Sequence, residues 1–147
     1  MSSPLQDALR GSGVPTPVSD ELASVTRREE DGLIIAAVKG EIDASNATHV
    51  GRELGDLSNR ALGLVVDLSA VDYLDSTGIA LLYELHIRLA RRGQSLAVVA
   101  PAGGAPRRVL ELTAFDTRAP VMEDVDAAVR AVRSLSQDAR LSQDDAA

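Results

Sequence analysis

Val65-Val66-Asp67-Leu68-Ser69-Ala70-Val71-Asp72-Tyr73-Leu74-Asp75-Ser76-Thr77-Gly78-Ile79 is the stretch on which the fold turns. Its first residues, with Leu64, form a short run that is apolar apart from Asp67, which suits a central strand covered on both faces. A turn follows, and then a helix from Gly78 to about Arg92. Leu81, Leu82, Leu85 and Leu89 recur at helical spacing along it. Arg88, Arg91 and Arg92 collect towards the negative C-terminal end, and Gly93 is a natural stop.

Upstream, Ser24-Val25-Thr26-Arg27-Arg28 and Leu33 to Val38 flank Glu29-Glu30-Asp31-Gly32. Asp-Gly between strand-like runs predicts a hairpin, so the domain should open with an antiparallel pair. Ala44 to Leu57 places Ala47, Val50, Leu54 and Leu57 near helical spacing, against the low propensity of Gly51 and Gly55. Beyond the second helix, Leu96 to Ala100 reads as another apolar strand, Pro101 to Pro106 as a flexible loop and Arg107 to Leu112 as a short helix. Ala119 to Met122 reads as an edge strand, and Asp124 as the cap of a last helix carrying Val125, Ala128, Val129 and Val132. Strands alternating with helices give an α/β fold: one mixed β-sheet of four to five strands packed with about four α-helices. Residues 1–20, rich in Ser, Pro and Gly, read as a flexible N-terminal arm, 21–133 as the single folded domain and 134–147 as a polar C-terminal tail.

The boundary between strand and second helix carries the chemistry. Asp75, Ser76 and Thr77 all bear side-chain oxygens that could accept from the unpaired amides of a first helical turn. An ordinary N-cap is therefore one reading of the triplet. The other is a modification site, because a helix start is polarised to receive an anion and presents a hydroxyl outwards. A phosphate there would add a charge of about −1.5 to −2 next to Asp75, with Asp43 and Asp72 as candidate neighbours.

Gly40-Glu41-Ile42-Asp43, a helix, and then Val66-Asp67-Leu68-Ser69-Ala70-Val71-Asp72-Tyr73-Leu74-Asp75-Ser76-Thr77-Gly78 together resemble the STAS domain of anti-sigma-factor antagonists, over roughly Leu22 to Val132. Arg107-Arg108-Val109-Leu110-Glu111-Leu112-Thr113-Ala114-Phe115 resembles the third helix of that family and the turn after it. The resemblance implies a non-enzymatic regulator of transcription that works by partner switching. Unmodified, it binds an anti-sigma-factor serine kinase and frees a sigma factor; phosphorylated by that kinase, it lets go. A phosphatase would be a second partner. By position the phosphorylated residue is Ser76, ahead of Thr77, which stands where the family more often has a second serine. Asp43, Asp75, Ser76, Thr77 and Gly78 would form the partner-binding site. STAS-like domains also serve as accessory subunits of transport or lipid-trafficking complexes, which is the alternative; the complete phosphorylation motif favours the regulator.

Other chemistries fit poorly. An aspartic protease needs Asp-Thr/Ser-Gly twice, whereas Asp75-Ser76-Thr77-Gly78 has an extra residue and no second copy. Ser76 lacks the glycines of a Gly-x-Ser-x-Gly elbow, and His49 and His86 each fall inside a predicted helix at no metal-ligand spacing. Gly103-Gly104 is too short and proline-bounded to cradle phosphates. Neither a cofactor nor a metal is expected. Arg91-Arg92 and Arg107-Arg108 read as solvated basic pairs at helix ends, with an acidic partner as the less economical explanation.

Bulk composition agrees. The 147 residues are 45% hydrophobic, enough for one compact core. Against 22 acidic residues stand 15 basic ones, and the net charge of −7 offers no counterion-release term for nucleic acid. One Phe, two Tyr and no Trp leave few rings for stacking on bases. The absence of Cys removes disulfides and thiolate chemistry and fits a cytoplasmic location. No apolar run approaches the roughly 20 residues that span a bilayer, so membrane insertion is not expected.

Overall fold

The computed structural model describes residues 17–18 and 22–146. The hairpin comes first, as β2 (Ala23–Glu30) and β3 (Leu33–Ile42), with a two-residue edge strand β1 (Pro17–Val18) laid antiparallel on the start of β2. Asp31 and Gly32 link the pair with φ of 49° and 87°. Two consecutive positive φ angles are what a tight turn matching the strand twist demands, and Asp-Gly supplies them.

A helix, α1 (Ala47–Leu57), carries the chain from β3 to β4 (Gly63–Leu74), which pairs parallel to β3. Next come α2 (Ser76–Arg91), β5 (Ser95–Val99), α3 (Ala105–Leu112), a 3-10 turn at Phe115–Thr117, β6 (Val121–Met122) and α4 (Val125–Ala146). The six strands lie in sequence order, antiparallel as far as β3 and parallel from β3 to β6. Four of them are five residues or longer, so among the described residues the expected mixed sheet with four helices is what forms, with two-residue strands at either edge.

Both faces of the sheet are covered, which explains the apolar runs. Ile34, Ala36, Leu64, Val66, Leu96 and Val98 pack under α1, α2, α3 and the 3-10 turn, against Val50, Leu54, Leu82, Leu85, Leu89, Leu110 and Phe115. The alternate residues Leu33, Ile35, Val65, Ala97 and Val99 pack on the other face under Ala128, Val129 and Val132 of α4. Side chains on a strand alternate between faces, so a strand buried on both has no polar position to spare.

Three sequence expectations change. The segment from Ser69 to Leu74 is strand, not turn. The pairing register of β4 on β3 slips between Ala37 and Lys39 and again between Gly40 and Glu41, each time with an extra residue on β4. Buried Leu68, Val71 and Leu74 therefore recur every third residue rather than every second, and the strand period is lost to the eye. The loop from Pro101 to Pro106 is tied down: Glu123 Oε2 accepts from the Ala102 amide at 2.6 Å, and Arg107 Nη1 donates to the Ala100 carbonyl at 3.0 Å. Finally, the backbone of α4 stays helical through the polar stretch from 134 to Ala146, which holds neither Gly nor Pro. Apart from Pro17–Val18, the flexible arm expected over residues 1–20 lies outside the described residues.

Candidate functional site

Register builds the site. Ile42 pairs with Leu74 at the carboxyl ends of neighbouring parallel strands, so the next residues, Asp43 and Asp75, leave the sheet side by side. Loops at this edge of a parallel sheet are where α/β proteins place ligands and partners.

Each aspartate folds the chain that follows it. Asp75 is the N-cap of α2: its Oδ1 accepts from the amides of Thr77 (3.0 Å) and Gly78 (3.3 Å) and from the Thr77 hydroxyl (2.5 Å). The cap thus belongs to Asp75 alone among the three candidates. Ser76, the first helical residue, is exposed, and its hydroxyl bonds to no described residue. Asp43 Oδ1 accepts from the Ser45 amide (2.8 Å) and hydroxyl (2.6 Å). Those two bonds stabilise the ionised form and hold the Asp43 carboxyl below the ordinary carboxylate range.

Two residues without reactive groups fix the geometry. Gly78 brings the first turn of α2 against both strand ends: a Cβ there would lie 2.2 Å from Leu74 Cδ1 and 3.2 Å from Ile42 Cγ2. Asn46, only 1% exposed, closes the loop after β3. Its Nδ2 donates to the Glu41 carbonyl at 2.8 Å, and its Oδ1 accepts from the Asp43 amide at 3.0 Å.

The structure therefore brings together Asp43 and Asp75 on one rim, with Ser76, Thr77 and Gly78 as the adjoining helix start. Asp43, Asp75, Glu41, Ala44, Ser45 and Tyr73 line a shallow open hollow. Glu41 belongs to the Gly40-Glu41-Ile42-Asp43 motif and Tyr73 to the motif on β4, but the sequence alone assigns neither to the site; Tyr73 is exposed in a chain with three Phe and Tyr residues in all. Asp72, a candidate neighbour of the phosphate, is not among the residues lining the hollow. Of the basic pairs, Arg107 is engaged internally, 2.9 Å from Glu111 and bonded to the Ala100 carbonyl, while Arg108 is exposed. Among the described residues no cluster of His, Cys, Asp and Glu could hold a metal ion, and no helix is long and apolar enough to cross a membrane.

This arrangement, a capped helix start presenting an exposed serine at the end of a central strand, goes with a family match over residues 24–128 to the STAS domain. The chain belongs to the STAS domain family. Relatives of this STAS protein are named as regulators rather than as enzymes. It is 29% identical over 112 residues to the anti-sigma-F factor antagonist RsfB of Mycobacterium tuberculosis, covering 75% of this chain and 89% of the relative. A crystal structure of an anti-sigma factor antagonist from Mycobacterium paratuberculosis superimposes with a TM-score of 0.68 at 31% identity, covering 76% of this chain and 94% of that one. The Bacillus cell fate determinant SpoIIAA, solved in a phosphorylated form, shares the fold with a TM-score of 0.55 at 12% identity, over 73% of this chain and 98% of that one.

Proposed function

We propose that this protein is an anti-sigma-factor antagonist that binds an anti-sigma kinase while Ser76 is unmodified and releases it when Ser76 is phosphorylated. The observation that carries the reading is the division of labour at the start of α2. Asp75 supplies the cap, which leaves the neighbouring Ser76 hydroxyl exposed and uncommitted. A kinase can modify such a hydroxyl without dismantling the helix. Thr77 is a poorer acceptor, because its hydroxyl already donates to Asp75.

Phosphorylation then changes the surface more than the fold. A phosphate of charge about −1.5 to −2 at Ser76 would stand next to Asp75 and the acidic hollow it shares with Glu41 and Asp43. A partner surface shaped for the neutral hydroxyl would have to desolvate and tolerate that charge, which disfavours the complex by up to several kcal/mol. A phosphatase restores the binding form, and the cycle runs in the cytoplasm beside the transcription machinery. Incubation with the cognate kinase followed by phosphopeptide mass spectrometry tests the site. Modification at Ser76 is expected; exclusive modification of Thr77 or of a serine in the terminal segments would refute it.

A further inference from the structure

Between α1 and α2 runs a groove of about 510 Å³ that begins at Thr77, beside Ser76, and reaches Arg88 three turns along α2. Its apolar floor is Leu81 and Leu85. Two glycines on α1 shape it. Gly51 lets α2 come so close that a Cβ would lie 3.1 Å from Leu81 Cγ, and Gly55 seats the Arg88 guanidinium, whose Nη1 would be 2.4 Å from a Cβ there. Each glycine costs a helix about 1 kcal/mol relative to alanine, so α1 gives up intrinsic stability at the two positions that shape the groove.

The charges in it are unlike those of the rest of the chain. Its lining carries Arg52 on the α1 wall, Arg88 at the far mouth and one carboxylate, Glu84, a local balance of +1 in a chain of −7. Neither arginine forms a salt bridge or hydrogen bond with any described residue. At the other end of the same surface lies the acidic hollow of Glu41, Asp43 and Asp75.

We infer that this groove receives an acidic, partly apolar segment of the anti-sigma kinase, its carboxylates meeting Arg52 and Arg88 and an apolar side chain resting on Leu81 and Leu85. The inference rests on the reading of the protein as an antagonist. It adds a second contact, charged oppositely to the hollow, that fixes how the partner lies across Ser76. Continuity through Thr77 means that one docked segment would feel both the groove and the state of Ser76.

The test is a calorimetric titration of the unmodified protein against the cognate anti-sigma kinase, comparing wild type, Arg52→Glu with Arg88→Glu, and the control pair Arg108→Glu with Arg130→Glu, which lines no part of the groove. The groove pair should bind about tenfold more weakly or worse, the control pair within about twofold of wild type, and added salt should weaken wild type more than the groove pair. Ala80→Leu, which narrows the groove without changing charge, should weaken binding as well, and circular dichroism melts check that every variant is folded. Wild-type affinity in both the groove pair and Ala80→Leu would overturn the groove while leaving the switch at Ser76 standing. A wild-type protein that does not bind the kinase would overturn both. Sedimentation of the protein alone supplies the remaining alternative: self-association abolished by the groove pair would assign the groove to a second copy of the chain and refute the proposal.

Discussion

Replacing Asp75 by alanine should destabilise the domain far more than replacing its neighbour Ser76. Asp75 Oδ1 holds the amides of Thr77 and Gly78 at 3.0 and 3.3 Å, so Asp75→Ala leaves two first-turn donors without their side-chain acceptor. Loss of an N-cap costs about 1 kcal/mol. The carboxylate also sits at the positive end of the helix dipole, a contribution of about 0.3–1 kcal/mol. The sum is about 1.3–2 kcal/mol, which for a domain of this size lowers the melting midpoint by about 5–8 °C. Asp75→Asn keeps an acceptor oxygen and should lose only the dipole part. Ser76→Ala removes a hydroxyl that bonds to no described residue and puts the better helix former at the first helical position, so stability should be unchanged or higher by a few tenths of a kcal/mol. Urea titrations of the four proteins, with the slope checked for constancy, give the comparison directly. A Ser76→Ala loss as large as that of Asp75→Ala would show that the serine is the cap and would remove the physical basis for an uncommitted hydroxyl.

Gly78→Ala inserts a methyl group against Leu74 and Ile42, both buried, and should cost about 1–3 kcal/mol in the same assay; a neutral substitution would mean that α2 can back away from the strand ends. The Asp43 carboxyl, followed by NMR, should titrate below its ordinary 3.8, and Ser45→Ala should return it towards that value. Because the folded pKa is depressed, the associated stabilisation is present above the ordinary value and is lost as pH falls through the folded one; a wild-type midpoint at or above 3.8 would contradict the hydrogen-bonded geometry.

The hairpin was legible because Asp31-Gly32 is chemistry specific to one turn, and the helices because Leu81, Leu82, Leu85 and Leu89, or Val125, Ala128, Val129 and Val132, repeat at a period only a helix explains. The far half of β4 was not. Its extra residues opposite β3 convert alternation into a three-residue repeat, which reads as turn or helix unless the partner strand is known. The family motif picks out Asp43 and Asp75 as candidates, yet their adjacency depends on the pairing of Ile42 with Leu74, a long-range fact. The cap had three candidates within three consecutive residues, and side-chain direction alone separates them. Gly51 and Gly55 looked like defects in α1; their purpose, the close approach of Leu81 and Arg88 from α2, exists only after the helices pack.

The switch at Ser76 is tested most directly by the affinity of the genuinely phosphorylated protein for the cognate anti-sigma kinase, measured beside the unmodified protein, Ser76→Ala and Ser76→Asp. Tight binding is expected of the unmodified protein and of Ser76→Ala, weaker binding of Ser76→Asp, whose carboxylate carries less charge and fewer oxygens than a phosphate, and the weakest binding of the phosphoprotein. Equal affinity for all four, with folds shown intact by circular dichroism, would mean that Ser76 is only the first residue of a helix and not a switch.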